Sequence, residues 1–145
     1  MNIILSIHPK WAKLIYEGKK TIEWSKIVPS CLLPIHLSNE KLTVYLYETA
    51  PVKKVTGYFI CEGVARVDFS EPPFEGAEIC DEAKKIIKEG CVPLEDLKKY
   101  KGQKKVLYGL KVFTTEKFSH KPMDITQFNI KRPPQSWCYT EVCVK

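Results

Sequence analysis

Apolar and polar positions change period several times along the chain, and each change predicts an element. Residues 2–7 (NIILSI) form a β-rich apolar run, which predicts a buried strand. Pro9 suits the first turn of a helix; Trp11, Leu14 and Ile15 then recur at helical spacing, and Gly18 is placed to stop that helix. Residues 20–27 (KTIEWSKI) alternate, with Ile22 and Trp24 on one strand face and Thr21, Glu23 and Ser25 on the other. A loop with Pro29 and Pro34 leads to a strand at 42–48, and APVKKV turns into a long strand over 55–69. Gly57 and Gly63 inside that strand predict bulges or bends, and its length suits a curl around a small barrel.

The second half alternates between both periods. A loop at 70–76 precedes a helix with Ile79, Ala83, Ile86 and Ile87 on one stripe, ended by Gly90. A second helix covers 93–102, a strand 105–113, and a short extended piece 116–120. Residues 124–130 are ambiguous between the two periods, and 136–144 predicts a closing strand. The fold class expected is α+β: a small curved sheet or barrel with flanking short helices.

The length of 145 residues fits a single domain, 1–145, and no apolar run approaches a membrane span. The apolar start lacks the basic region of a secretory signal, so a cytoplasmic protein is expected. Six cysteines (31, 61, 80, 91, 138, 143) include no C-x-x-C pair and none with a zinc-finger histidine. Reduced thiols, no metal and no cofactor are therefore expected, with Cys61 and Cys143 inside strands. Charge is uneven. Residues 98–121 hold eight lysines against Glu116, while 68–96 hold nine acids against three lysines. Such a basic segment steers a polyanion or simply solvates a surface. That Arg66 and Arg132 are the two arginines of the sequence argues against an extensive arginine phosphate clamp.

The stretch EGKKTIEWSKI, residues 17–27, concentrates polar groups just past the first helix. Together with the strand and helix before it, it resembles the opening of the ASCH family and its motif G-x-K-x-x-E-x-R. Gly18, Lys20 and Glu23 match that motif; Ser25 stands at the arginine position, with Lys26 next to it. LYETAPVKKVTGYFICEGV resembles the family's strand, proline turn and glycine-bearing strand, and KRPPQSWCYTEV its closing segment. The resemblance implies a PUA-like β-barrel whose cleft takes RNA, or a single nucleobase or nucleoside.

Lys20 and Glu23 are three apart and differ in parity on a regular strand. They converge only if Lys20 still belongs to the turn. Converged, the ammonium can hold a phosphate or sugar and the carboxylate can accept from a base N–H; the alternative is an internal ion pair. Ser136 and Trp137 form a second candidate cluster, the indole either stacking on a base or packing at a rim. Lys53 and Arg132 are candidate phosphate contacts or plain surface, as are Lys54 and Lys131. Trp11 and Trp24 are expected in the core, Tyr45 and Tyr47 on one strand face. His8 reads as structural, without a catalytic constellation around it.

Some ASCH proteins hydrolyse N4-acetylcytidine with a lysine, a threonine three residues later and a glutamate from a later helix. Here Lys20 matches, Glu23 occupies the threonine position, Thr21 is the nearby hydroxyl, and Glu89 lies in the corresponding helical region. Others are ribonucleases, for which Lys20, Tyr47 or Ser136 would be candidates. The reading is an RNA- or nucleobase-binding domain with Lys20, Glu23, Ser136 and Trp137 at its cleft. A hydrolase acting on a modified nucleoside or RNA is one alternative and a protein-interaction module another.

Overall fold

The structure, a computed structural model, describes residues 1–30, 41–69 and 81–144, the side chains of 81–83 excepted. The expectations for Cys31, Pro34, the 70–76 loop, Ile79, Cys80 and the Ala83 side chain fall outside the described residues. In chain order the elements are β1 (Asn2–Ile7), α1 (Pro9–Tyr16), β2 (Ile22–Ser25), β3 (Leu42–Glu48), β4 (Lys54–Asp68), α2 (Asp81–Glu89), α3 (Leu94–Lys101), β5 (Val106–Lys117), a 3-10 turn (Ile125–Phe128) and β6 (Trp137–Thr140). The six strands form one sheet in the order β2-β5-β4-β3-β1-β6. β1 and β3 run parallel and the other neighbours antiparallel. No helix among the described residues is long and apolar enough to cross a membrane.

Both faces of the central strands are covered, which is why β1 and β3 read as nearly continuous apolar runs. Ile3, Leu5 and Ile7 of β1 pack with Leu42, Val44 and Leu46 of β3 and with Ala12 and Ile15 of α1, so α1 fills the concave side. On the opposite face Ile4, Tyr45 and Tyr47 pack with Val55 and Phe128 beneath the 3-10 turn. A third cluster joins Ile22 and Trp24 of β2 to Leu107 of β5, Val67 of β4 and Leu97 of α3, with Ile86, Ile87 and Val92 packed against it.

The bends in β4 fall where the sequence marks them. Its pairing with β3 shifts register between Leu46 and Tyr47, beside Gly57, and its pairing with β5 shifts between Cys61 and Val64, across Gly63. β2 and β6 remain as free edges, so the sheet is curled but open among the described residues. What joins those edges is a side chain: the Trp137 indole N–H donates to the Ile27 carbonyl at 2.8 Å. The Ser25 hydroxyl donates to that same carbonyl at 2.5 Å, turning the chain sharply as it leaves β2.

Three expectations shift. β5 extends through Lys117, absorbing part of the 116–120 piece, because β4 is long enough to pair with it throughout. β6 stops at Thr140, whose hydroxyl takes the Val142 amide and ends the ladder, so Cys143 lies outside a strand and is exposed. Residues 125–128 resolve into a 3-10 turn with a capping box between Asp124 and Gln127.

A Cβ on Gly57 would lie 2.3 Å from the Glu116 carbonyl oxygen and 2.8 Å from Lys117 Cα, both backbone, whereas one on Gly63 meets only the flexible Lys111 side chain at 3.7 Å. Gly57→Ala is expected to lower unfolding free energy by about 1–3 kcal/mol through overpacking, and Gly63→Ala to change it by less than about 0.5 kcal/mol, both read by urea denaturation.

Candidate functional site

The turn after α1 aims Lys20 inward. Glu17 caps the helix, Gly18 takes φ +76°, and the Leu14 carbonyl accepts the amides of both Lys19 (2.9 Å) and Lys20 (3.0 Å). Lys20 therefore belongs to the turn, not to β2, and it converges with Glu23: Nζ stands 3.5 Å from Oε2. At that distance the two attract as charges, while Oε2 keeps no hydrogen-bond partner among the described residues. The Lys20 side chain is 1% exposed. Its ammonium donates to the Gly90 carbonyl and lies 5.3 Å from the centre of the Trp11 ring.

Gly90 reads in the sequence only as a helix stop, but it does more. A Cβ there would sit 2.2 Å from Trp24 Nε1, so the α2–α3 joint presses directly on the Trp24 indole. The joint is tied down on both sides, by the Thr21 amide donating to the Glu89 carbonyl (2.9 Å) and by Cys91 Sγ donating to the Lys19 carbonyl (3.3 Å).

Lys20 and Glu23 border a cleft of about 350 Å³. Trp11 and His8 come to it from α1 and its cap, Asp96 and Tyr100 from α3, and Gln135 and Ser136 from the segment before β6. His8 is the N-cap, its Nδ1 accepting the Lys10 amide at 3.3 Å, which fixes the ring as a structural acceptor. Ser6 holds the far wall: its amide donates to the Ser136 carbonyl (2.8 Å) and its hydroxyl to the Pro134 carbonyl (2.6 Å).

Desolvation dominates the titration of the charged pair. It pulls the Lys20 ammonium below its ordinary 10.5 and pushes the Glu23 carboxyl above its ordinary 4.5, each partner's charge opposing the shift. Burial, then the Glu23 charge, raises the Tyr100 phenol. A lysine eased toward its amine and a carboxyl eased toward its acid, side by side in a cleft, can exchange protons with a ligand.

Of the residues singled out in the sequence, Lys20, Glu23 and Ser136 share the cleft. Trp137 stands next to Ser136, its indole engaged with Ile27 and its ring 5.2 Å from Tyr139, edge to face. Lys53 lies at φ 53° in the turn after β3 and Arg132 in the loop before Pro133, both exposed and neither lining the cleft. Tyr47 is buried on the opposite sheet face and Glu89 offers the cleft no side chain. Trp11, expected in the core, is half-buried and lines the cleft. Asp96 and Tyr100 were missed; their one signal is the i, i+4 spacing on α3. Among the described residues no three His, Cys, Asp or Glu side chains come together as a metal would need.

No family model matches the sequence. An ASCH domain-containing ribonuclease of Zymomonas mobilis is 32% identical over 65 residues, a stretch spanning 45% of this chain and only 39% of that protein. The crystal structure of ASCH from Zymomonas mobilis superposes with a TM-score of 0.71 over 97% of this chain and 87% of that one, at 21% identity. The fold is that of an ASCH domain. A serine-to-alanine variant of ZmASCH superposes as well, at 20% identity and a TM-score of 0.71, over 97% of this chain and 88% of that one.

Removing one member of a buried ion pair strands the other. Lys20→Met is expected to cost about 3–5 kcal/mol in urea denaturation, and Lys20→Met with Glu23→Gln to recover most of that loss. The pH profile gives a second check. Glu23, raised in the fold, contributes stability that is lost as pH rises from 4.5 through its folded value; Lys20, lowered in the fold, makes stability rise as pH climbs from its folded value to 10.5. Relative to the double variant, the parent protein should therefore be least stable in the middle of that interval and gain toward both ends.

Proposed function

We propose that the protein binds single-stranded RNA, taking one unstacked base into the cleft against Glu23. One observation carries this: Glu23 Oε2 is a buried acceptor without a hydrogen bond, at a 350 Å³ cleft walled by Trp11 and Tyr100. A buried polar atom left unpaired is costly, and a ligand N–H removes the cost. Each RNA base offers such a donor on its edge, and aromatic rings hold bases by stacking. Lys20, at 3.5 Å, keeps charge available to the carboxylate and can give a proton to a neighbouring base acceptor. Ser136, with a hydroxyl at the wall, adds a donor and acceptor, and Trp137 holds that wall. Lys53 and Arg132, exposed away from the cleft, serve phosphates of the strand as it leaves. The name of the Zymomonas mobilis relative supports RNA as the ligand class. On this reading the curled sheet is a PUA-like barrel left open beside the cleft, and the thiols of Cys91, Cys138 and Cys143 fit the reducing cytoplasm.

A second reading is RNA hydrolysis, favoured by the relative's name and by the pair Lys20–Glu23, whose opposed shifts suit a base and an acid. It requires chain cleavage by the parent protein that Lys20→Met and Glu23→Gln both abolish. An intact RNA after incubation with the parent protein sinks it.

Binding is read by tryptophan fluorescence on adding homopolymeric RNA oligomers. Glu23→Gln is expected to weaken the tightest of them by about tenfold or more, the worth of a hydrogen bond to a charged group. Trp11→Ala is expected to weaken all of them. The reading is wrong if both variants bind as the parent protein does.

A further inference from the structure

Each aromatic wall of the cleft carries a lysine. Lys10 Nζ lies 4.6 Å from the centre of the Trp11 ring on α1, and Lys26 Nζ lies 4.9 Å from the centre of the Tyr100 ring on α3. Both lysines are exposed, in contrast to Lys20. Among the described residues neither has a carboxylate at ion-pair distance. Their backbones are held locally. The Lys10 amide donates to His8, and Lys26 sits in the turn that the Ser25 hydroxyl closes onto the Ile27 carbonyl. Each ammonium is thus a mobile arm on a fixed mount, resting over the ring that would face a bound base.

We propose that Lys10 and Lys26 bind the two phosphates flanking the inserted base, so that the cleft takes an internal nucleotide of a strand in preference to a free nucleoside. This rests on the base-binding reading above. A base between Trp11 and Tyr100 sends its 5′ and 3′ phosphates out past the two walls, where the ammonium groups stand. Asp96, exposed on α3 one turn before Tyr100, repels phosphate from the remaining part of that wall and narrows the exit to the two lysines. A compact ammonium on a flexible stem binds phosphate as a point charge and needs no bidentate geometry, which suits a chain with so few arginines.

The test compares the four common ribonucleosides with their 3′,5′-bisphosphates, which carry both flanking phosphates and no further chain. In the parent protein the best bisphosphate should bind about tenfold or more tighter than its nucleoside at low salt, and the advantage should shrink as salt is added. Lys10→Gln with Lys26→Gln should abolish that advantage while nucleoside affinity stays put. Lys98→Gln with Lys99→Gln removes two exposed charges from α3, the helix of Tyr100, outside the cleft lining and should preserve it. An advantage unchanged in the first pair, or lost equally in the second, overturns the assignment. If nucleoside binding depends on Glu23 while the advantage does not depend on Lys10 and Lys26, the phosphate assignment alone falls. If the parent protein binds neither a nucleoside nor a bisphosphate, or if Glu23→Gln binds both unchanged, the base-binding reading falls and the phosphate assignment with it.

Discussion

A lysine ammonium removed from water must be held by whatever surrounds it, and the site is built around that demand. Lys20 draws together three parts of the chain that share no strand pairing with one another: the turn after α1, the Glu23 carboxylate of β2 and the Gly90 carbonyl between α2 and α3. The Trp11 ring lies alongside. Satisfying one buried charge therefore fixes how the helical pair sits against the edge of the sheet. It also explains why the cleft has a charged floor and aromatic walls. The ammonium is already engaged by carbonyl, carboxylate and ring, whereas the carboxylate retains an oxygen with no donor.

Much of the fold was legible because its strands and helices keep distinct periods. β1 and β3 read as continuous apolar runs since both their faces are buried, and the β4 glycines mark its bends. Gly18 was legible for a backbone reason: a positive φ after α1 favours a residue without a side chain. The edges were not. How far β5 and β6 run depends on the partner available to each, which no local pattern records. The open seam between β2 and β6 was hidden for the same reason, since it is joined by Trp137 reaching a carbonyl 110 residues away.

The site was half legible. Lys20 and Glu23 lie close in sequence, and a single condition, that Lys20 stay in the turn, decides whether they meet. Gly90, Asp96 and Tyr100 come from about seventy residues further along the chain, and the packing of Leu97 with Ile22 and Trp24, with the bonds from Lys20, Thr21 and Cys91, brings them near. Trp11 misled because a helical apolar stripe looks the same whether it faces a filled core or the edge of a cavity. Ser25, the departure from the ASCH motif, has a local task in this chain, donating to the Ile27 carbonyl that Trp137 also uses.

That shared carbonyl has a consequence for the order of assembly. β1 precedes the other five strands of the sheet in the chain, and its outer edge is paired, among the described residues, by β6, more than a hundred residues later. Until β6 arrives, β1 presents an unpaired edge, Ile27 lacks its indole partner, and Ser6 has no far wall to hold. The growing chain can form α1 and the Lys20 turn early, from local contacts, but cannot enclose a cavity. Closure of the cleft is thereby deferred to chains translated through Trp137, and until then the edge of β1 stays open to non-native pairing.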